Sequence, residues 1–429
     1  MKSNTPFRIV IVGGGIAGLT AAIALHAPNR RTTVLEQSRL NTEIGALISL
    51  QPNATKIVYD TFGLGKELED ARGMIDEGFR VYSTDGELVN QIPLTSKTEY
   101  GASRIVYHRR DLHDALKQAA LATDRGGEPV QIKVSSRVTG CDLLNGSVDL
   151  ESGEKVEGDI IIGADGIHSV LREYVLDNNI TPMPTGHSGQ IPSDVLEEKE
   201  PEFCKKINAR SPFTSMMVAH NCRLVMGPGR QGELFGIVAL VPDEQMNEDP
   251  NSRKTWVSKS NLARMMDTFS EFPNRVTSIF KLVVPQSLQD QANSTGHSPD
   301  LGLWQLHDID PLSTWYRGRL ILIGDAAHAM LPTQGQGASQ AIEDSETLGA
   351  FFDEKGGGLS SEISTIFQDI FRSRHRRASF IQAYSRQAAK PGTEKEGNAV
   401  TMKPDEFMAF NCMYRGAREW LQQQATSEV

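Results

Sequence analysis

The fold of this chain is decided by residues 7–25, which read FRIVIVGGGIAGLTAAIAL. A short β-branched apolar run passes through three glycines into an apolar segment rich in alanine and leucine. This order of strand, glycine turn and buried helix is typical of the opening βαβ unit of a dinucleotide-binding fold. Gly13 lets the strand turn sharply, Gly15 keeps a side chain away from a pyrophosphate, and Gly18 lets the helix pack against the strand.

A second predicted strand, Thr32-Thr33-Val34-Leu35, ends on Glu36. An acid about 20 residues after the glycine turn accepts hydrogen bonds from the ribose hydroxyls of an adenosine, and it argues against a 2′-phosphate. A Gly-x-Gly-x-x-Gly motif alone is weak evidence, and the alternative is a glycine-rich turn in an ordinary α/β domain. The flanking strand and helix, together with Glu36, favour dinucleotide binding.

Length and charge limit the possible classes of function. The 429 residues exceed one comfortable core and predict two domains, or a nucleotide domain with a smaller inserted one. A net charge of −10 creates no overall positive field, so neither nucleic acid nor a membrane is expected as a partner. The 4 cysteines are scattered without a Cys-x-x-Cys pair, which favours reduced thiols and predicts no metal site. We read no targeting or membrane-spanning segment, so the cytoplasm is the default expected location.

Two further apolar strands are each predicted to end in glycine and an acid. The first leads into Gly163-Ala164-Asp165-Gly166, and the second into Gly324-Asp325-Ala326-Ala327-His328. Asp165 either braces a loop near the dinucleotide or only caps the following helix, and Gly166 permits close approach of a ligand. Asp325 stands where a carboxylate could bind a polyol hydroxyl. A helix from Ser339 to Phe352 should then direct its N-terminal dipole at a ligand such as an anionic reduced flavin.

The rest of the chain is less informative. A hairpin is predicted at 79–92, and a substrate-covering region at 181–288 should contain strands followed by amphipathic helices at 256–280. Arg109 lies at the N-terminal edge of a predicted helix, where it either reaches a phosphate or is a surface arginine. The basic run Arg372 to Arg377 is interpreted as the solvated face of a helix.

Taken together, Gly13-x-Gly15-x-x-Gly18 with Glu36, the Gly-Ala-Asp-Gly segment and the Gly-Asp-Ala-Ala-His segment carry a family resemblance. The last is followed by Pro332, Gly335-x-Gly337 and Ala-Ile-Glu-Asp at 341–344. The sequence resembles the single-component FAD-dependent aromatic hydroxylases, the family of para-hydroxybenzoate and salicylate hydroxylases, and more closely their fungal natural-product relatives. The resemblance covers most of 7–172 and 300–386 and thins between 181 and 290.

The resemblance implies the fold class α/β: a Rossmann-like FAD-binding domain with an inserted β-sheet substrate domain and a C-terminal helical region. The expected FAD-binding parts are 1–75, 105–180 and 291–386. The expected substrate-domain parts are the hairpin 76–104 and the segment 181–290, and 387–429 is the C-terminal helical segment.

The resemblance also implies roles for individual residues. Gly13, Gly15 and Gly18 would cradle the FAD pyrophosphate, Glu36 would hold the adenosine ribose, and Asp325 would bind the ribityl chain. Gly45, Ala46, Gly337 and Ala338 would lie by the flavin, Arg109 would contact FAD, and Asp165 with Gly166 matches a motif associated with both FAD and NAD(P)H.

The implied activity is that of a monooxygenase with FAD as cofactor and NAD(P)H as co-substrate. It would pass oxygen from O2, through a flavin C4a-hydroperoxide, to a small aromatic and phenolic substrate, plausibly in secondary-metabolite biosynthesis. Catalytic side chains stay unassigned. The alternatives are an epoxidase or dearomatising monooxygenase of the same family, and an FAD-binding protein whose substrate site has decayed. Which substrate, which nicotinamide cofactor and which oligomeric state apply stay open.

The sequence departs from the family pattern in its substrate region. Relatives commonly carry an arginine a few residues before Ile-Pro or Val-Pro, whereas Gly186 to Pro192 contains none. Where relatives show Tyr-Pro and later Asn, this chain has Gly227-Pro228 and Gly236. These small residues predict a gap in the wall of the substrate site, which either a large substrate fills or a loss of function explains.

Overall fold

The structure is a computed structural model. It describes residues 6–39, 46–123, 126–176, 183–184, 186–219, 222–240, 257–259, 269–283, 302–304, 307–354, 362–389, 402–420 and 422. Gly45, which the sequence places by the flavin, lies outside the described residues.

The strands, in chain order, are β1 (Phe7–Val12), β2 (Arg30–Leu35), β3 (Leu47–Leu50), β4 (Met74–Ile75), β5 (Gly78–Tyr82), β6 (Leu88–Pro93), β7 (Ile105–His108), β8 (Gln131–Lys133), β9 (Val138–Asp142), β10 (Ser147–Leu150), β11 (Lys155–Glu157), β12 (Ile160–Gly163), β13 (Met183–Pro184), β14 (Gly186–Pro192), β15 (Phe213–Val218), β16 (Arg223–Gly229), β17 (Leu234–Leu240), β18 (Val257–Lys259), β19 (Gly302–Trp304), β20 (His307–Asp308), β21 (Tyr316–Arg317) and β22 (Leu320–Leu322).

The α-helices, in chain order, are α1 (Ile16–Ala24), α2 (Pro52–Lys56), α3 (Gly65–Asp70), α4 (Ser96–Tyr100), α5 (Arg109–Leu121), α6 (Leu171–Leu176), α7 (Ser193–Lys199), α8 (Pro201–Ile207), α9 (Asn274–Thr277), α10 (Asp325–His328), α11 (Gly337–Glu354), α12 (Ile363–Ala389) and α13 (Pro404–Cys412). A π-helical turn, Ile57–Thr61, continues α2, and 3₁₀ turns lie at Arg230–Gly232, Ser278–Leu282 and Pro332–Gln334. Among the helices described, none is long and apolar enough to cross a lipid bilayer.

The first sheet has the strand order β21-β22-β12-β1-β2-β8, and all its neighbouring pairs are parallel except β21 with β22. Three of its inner strands, β1, β12 and β22, are almost continuously apolar, and every residue of β12 is buried. Such strands suit a parallel sheet that is covered on both faces. The carboxyl ends of parallel strands meet at one edge, so the glycine and acidic segments after β1, β2, β12 and β22 come together there. The predicted Rossmann-like α/β fold is confirmed.

The second large sheet has the order β14-β17-β16-β15-β5-β6. The predicted hairpin at 79–92 supplies β5 and β6, and β5 runs parallel to β15. The prediction of amphipathic helices over 256–280 is wrong at its start, because Val257–Lys259 is a strand that pairs with Gly302–Trp304. Backbone pairing between segments distant in the sequence overrides local helical periodicity there. Residues 260–268 lie outside the described part of the chain.

A small third sheet, β3-β7-β4, also belongs to the fold. β3 pairs antiparallel with β7, which places Leu47 opposite His108. α5 begins directly after β7, and the backbone N–H of Arg109 donates to the Ala46 carbonyl over 2.9 Å. The small sheet therefore fixes the segment beside Ala46 relative to α5.

The interpretation of the basic run as a solvated helix face holds for Arg372 and Arg376, which are exposed, but is wrong for Arg374 and Arg377. Arg374 and Arg377 of α12 are fully buried, and their guanidinium groups bind the buried carboxylates of Glu343 and Asp344 on α11. The Arg377 Nε–Glu343 Oε2 distance is 2.8 Å, and Arg374 Nε lies 2.9 Å from Asp344 Oδ1. Burial opposes the charged form of Glu343, but Arg377 and Arg374 hold the pKa of its carboxyl below the usual value. The charges neutralise one another inside the protein.

We predict that Arg377→Met lowers the free energy of unfolding by about 3–5 kcal/mol, because it leaves the Glu343 carboxylate buried with one partner fewer. Arg376→Met is the matched control, since Arg376 is the exposed neighbour on the same helix. Urea unfolding of both variants at pH 7 measures the difference. Equal destabilisation by the two substitutions would contradict a specific role for the buried pair.

Candidate active site

The turn after β1 has the geometry that a dinucleotide needs. Gly13 has φ +106°, and a Cβ placed on it would lie 2.2 Å from the Ala164 carbonyl oxygen. A Cβ on Gly18 would lie 1.9 Å from the Gly13 carbonyl oxygen, so α1 packs directly on the turn. A Cβ on Gly15, by contrast, meets no atom within 4 Å. The N-terminus of α1 therefore faces open space where a phosphate can approach the backbone.

Glu36 lies beside this turn, directly after β2. Its Oε2 accepts a hydrogen bond from the Gly14 N–H over 2.8 Å, and its Oε1 accepts one from the Ser38 N–H over 2.7 Å. These bonds hold the half-buried carboxylate at the strand edge, and each oxygen keeps acceptor capacity for a ligand hydroxyl.

A histidine that sequence reasoning missed supports the same turn. His113 of α5 is buried, and its Nε2 lies 2.7 Å from the Gly14 carbonyl oxygen. His113 lies four residues after Arg109 and so on the same face of α5. The four-residue spacing from Arg109, on a helix predicted to start near a phosphate, was the sequence signal that could have identified His113. The structure places His113 against the Gly14 turn, one helical turn after Arg109.

Asp165 acts as a helix cap in the structure. Its carboxylate accepts hydrogen bonds from the Ser169 Oγ–H over 2.6 Å and from the Leu171 N–H, the first of α6, over 3.1 Å. Burial raises the pKa of Asp165, while these hydrogen bonds act in the opposite direction. Gly166 follows with φ +76°, the left-handed conformation that favours glycine. Of the two interpretations left open for Asp165, capping is the one with visible contacts.

Asp325 is exposed at the start of α10, next to Gly324 with φ +59°. The Gly324 N–H donates to Asp344 Oδ2 over 2.9 Å, and the same oxygen lies 2.6 Å from His328 Nε2. Asp344 is in turn bound by Arg374. The buried ion network of α11 and α12 thus fixes the turn that presents Asp325 to solvent.

Arg172 connects the loop at 163–167 to the segment at 324–328. Its buried guanidinium donates to four backbone carbonyls, those of Gly166, Ile167, Asp325 and Ala326, over 2.8–3.2 Å. Burial lowers the pKa of Arg172, and the charges of Asp165 and Asp325 oppose that shift. The carbonyl oxygens of both loops are therefore held by one cation.

The N-terminus of α11 lies against the end of β3. The Gln51 N–H donates to Ser339 Oγ over 3.1 Å, and Gly335 has φ +60°. A Cβ on Gly337 meets nothing within 4 Å, so this helix start is also open. Ala338 follows Gly337 and is half-buried. The first turn of an 18-residue helix concentrates positive dipole and free N–H groups at this opening.

The second sheet contacts this assembly through a mostly buried ion pair. Arg230, in the turn between β16 and β17, donates two hydrogen bonds of 2.6 Å to the carboxylate of Asp111 on α5. His108 Nδ1 lies 3.6 Å from the same carboxylate. Burial opposes the charge, but Arg230 and His108 hold the pKa of Asp111 well below its usual range.

The expected gap in the substrate wall is partly filled. A Cβ on Gly236 would lie 2.5 Å from Leu47 Cδ1, and a Cβ on Gly229 would lie 2.3 Å from Leu47 Cδ2. The segment Gly186–Pro192 is a full strand that pairs with β17 over seven residues. Gly229 and Gly236, in the hairpin formed by β16 and β17, therefore leave room for the side chain of Leu47.

The open glycines, the exposed Asp325 and the two helix N-termini fit an extended anionic dinucleotide such as FAD. Gly13, Gly15 and Gly18 follow β1, Glu36 follows β2 and Asp325 follows β22, all at the carboxyl edge of the first sheet, and Gly337 with Ala338 begins α11. Ala46 and Arg109 are joined by a backbone hydrogen bond near it. Among the residues that the structure describes, no group of three His, Cys, Asp or Glu side chains could hold a metal ion.

Comparison with known proteins agrees with this geometry. The sequence model of the FAD binding domain family matches residues 7–358. The chain is 29% identical over 391 residues to hispidin-3-hydroxylase of Neonothopanus nambi, covering 88% of this chain and 87% of the relative. It is 30% identical over 389 residues to 3-hydroxybenzoate 6-hydroxylase of Polaromonas naphthalenivorans, covering 89% and 87%. A solved salicylate hydroxylase substrate complex has the same fold, with a TM-score of 0.71, 24% identity and coverage of 92% of each chain.

We predict that Glu36→Ala and Asp325→Ala weaken FAD binding more than Asp165→Ala does. A charge-assisted hydrogen bond contributes roughly 1.5–3 kcal/mol, so each loss should loosen FAD by about tenfold or more. Asp165→Ala should instead lower stability by about 1 kcal/mol through loss of the α6 cap. Flavin fluorescence titration of apo-protein measures affinity, and urea unfolding measures stability. Unchanged FAD affinity in both of the first two variants would refute their assignment.

The Asp111–Arg230 pair gives a pH-dependent prediction. A carboxyl whose folded pKa is lowered contributes stability above its unfolded pKa of about 3.9, and loses that contribution as the pH falls through the folded pKa. We expect Asp111→Asn to cost about 2 kcal/mol at pH 7 and less at pH 3. Glu128→Gln, which breaks an exposed pair with Arg31, is the control. Urea unfolding at both pH values provides the test, and a pH-independent cost would count against the ion pair.

Proposed function

Because the chain belongs to the FAD binding domain family and is an FAD-dependent monooxygenase, we propose that it hydroxylates a small aromatic, phenolic compound with NAD(P)H and O2. One observation carries the proposal. The open glycine turns and the exposed Asp325 lie at one edge of the first sheet. The Arg230–Asp111 ion pair fixes the β16–β17 hairpin of the second sheet to α5 beside that edge. A cofactor and a small substrate can share the space between them.

The proposed contacts of FAD follow the chain's own geometry. Gly13, Gly15 and Gly18 with the α1 N-terminus would receive the pyrophosphate, and Glu36 would accept the adenosine ribose hydroxyls. Asp325 would accept hydroxyls of the ribityl chain. The flavin would lie near Gly45, Ala46, Gly337 and Ala338, and Arg109 would contact the cofactor.

Bound FAD supplies the redox chemistry: it accepts hydride from NAD(P)H and activates O2 for transfer of one oxygen atom to the ring. The chain supplies position and field. The N-terminus of α11 would stabilise negative charge on the cofactor, and Arg172 holds the Asp325 loop in place. Asp165 and Gly166, proposed to act toward both FAD and NAD(P)H, would shape the loop that these cofactors approach.

We propose a matching division of the chain. The segments 1–75, 105–180 and 291–386 would bind FAD, and 76–104 with 181–290 would cover the substrate, followed by the helical segment 387–429. The hydrogen-bonded pairing of β5 and β6 with β15 and its neighbours supports the assignment of residue ranges near 78–93 to the substrate side. The proposed location is the cytoplasm.

An active enzyme is favoured over a decayed substrate site. The decay alternative depended on the small residues of β14, β16 and β17. Since β14 is fully paired and Leu47 occupies the space at Gly229 and Gly236, the wall is not simply missing. A partly filled wall limits the access of water to a reactive oxygen-transfer site.

We predict that the purified protein releases FAD and not FMN, and that a single-ring phenol stimulates its NAD(P)H oxidation. Most reducing equivalents should then appear as hydroxylated product, because the partly filled wall and the bound substrate together exclude water and hold the acceptor close. The measurement is product formed and hydrogen peroxide released per NAD(P)H consumed, over a panel of phenols. Bound FMN, or near-stoichiometric peroxide with every compound, would overturn the proposal.

A further inference from the structure

Leu47 takes up space that two glycines of the second sheet leave free. It begins β3, and its two methyl carbons lie where the side chains of residues 229 and 236 would otherwise be. Gly229 has φ −148°, and Gly236 is also outside the left-handed region, so neither backbone conformation requires glycine. The close approach of Leu47 is what excludes larger residues there.

Strand register shows which other side chains share this location. Gly236 lies opposite Gln190 in the β14–β17 pair, and opposite residues of an antiparallel pair point to the same face. Gln190 is buried, and its Nε2 lies 3.4 Å from His108 Nε2. His108 is itself opposite Leu47 in the β3–β7 pair. Four strands therefore meet at one wall, which consists of Leu47, His108, Gln190 and Gly236.

Leu47 is only half-buried although it fills these positions. Part of the residue therefore stays accessible in the absence of a ligand. It follows directly on Ala46, which the proposed function places beside the flavin. The segment that would contact the cofactor, Ala46 with Leu47, therefore also fills the space at Gly229 and Gly236.

We propose that Leu47 is the residue that sets the size of the aromatic substrate. The inference rests on the proposed function, and it names the substrate class of the same site. The Leu47 side chain takes the volume in front of Gly229 and Gly236, so a single planar ring packs against it. A fused second ring would need the volume that its methyl groups occupy. Of the four wall residues, His108, Gln190 and Gly236 are buried, so Leu47 is the one that can contact a ring.

Removing the Leu47 side chain should change substrate choice. In Leu47→Ala, kcat/KM for a two-ring phenol such as a naphthol should rise about tenfold relative to a single-ring phenol, since each methylene of fit contributes about 10- to 200-fold in a hydrophobic pocket. The product-to-peroxide ratio with the single-ring phenol should fall, because water enters the vacated space. Leu50→Ala, on the same strand but fully buried, is the control, and should lower stability without changing the ranking of substrates.

A double-mutant cycle tests the geometry without relying on turnover. Gly236→Ala should lower the melting temperature of the holoenzyme when Leu47 is present, and should have little effect in the Leu47→Ala background. Equilibrium titration of the holoenzyme with naphthol and with a single-ring phenol, followed by flavin absorbance, gives the matching change in binding preference. In the double variant Leu47→Ala with Gly236→Val, bulk returns from the hairpin side, so preference for the single ring should recover.

The outcomes separate this inference from the proposed function. If the wild-type protein forms no product from any phenol, the proposed function fails, and the titration and the cycle still test Leu47. If Leu47→Ala retains FAD but keeps the wild-type binding preference and substrate ranking, Leu47 does not set substrate size. Additive effects of Leu47→Ala and Gly236→Ala on the melting temperature would equally overturn the inference.

Discussion

One buried cation, Arg172, holds the arrangement of the cofactor edge, which is the carboxyl edge of the first sheet where FAD is proposed to bind. Its guanidinium donates to carbonyl oxygens of two loops that lie more than a hundred residues apart in the sequence. A buried guanidinium needs all its donors satisfied, and carbonyl oxygens satisfy them only while both loops keep their conformations. Gly166 and Gly324 permit those conformations because each has positive φ. The loop after β12 and the loop after β22 are therefore fixed as a unit.

A second set of buried charges supports the same edge from behind. Asp344 binds the Gly324 N–H, His328 and Arg374, so the carboxylate connects the Asp325 turn to α12. Charges at this depth are tolerated because each is paired and hydrogen-bonded. The long helix α12 thus supplies a counter-charge to α11, the helix that begins at Gly337.

Features that depend on neighbouring residues were predictable from the sequence. The turn at Gly13, the acid at Glu36 and the strand before Asp325 each follow from a local pattern, and the structure has these elements at the expected places. The burial of Arg374 and Arg377 was not predictable in this way. A basic run resembles a solvated face unless the distant carboxylates that neutralise it are known, and Glu343 lies more than thirty residues away.

Contacts across strands explain the other differences. The strand at Val257–Lys259 forms because Gly302–Trp304 pairs with it, and local periodicity carries no information about a partner so far along the chain. For the same reason, Gly236 looked like lost bulk when β17 was considered alone. Leu47 replaces that bulk from a strand almost two hundred residues earlier.

α5 links the β16–β17 hairpin of the second sheet to the segment at Ala46 beside the cofactor edge. Arg230 fixes the β16–β17 turn to Asp111, and two residues earlier the Arg109 N–H holds the Ala46 carbonyl. Ala46 precedes Leu47, whose side chain returns to the glycines of that same hairpin. The hairpin, α5 and β3 therefore form a closed ring of contacts. A displacement of the hairpin would move Leu47 or break the Asp111 pair, so the distance between the cofactor edge and the substrate wall is set by rigid packing.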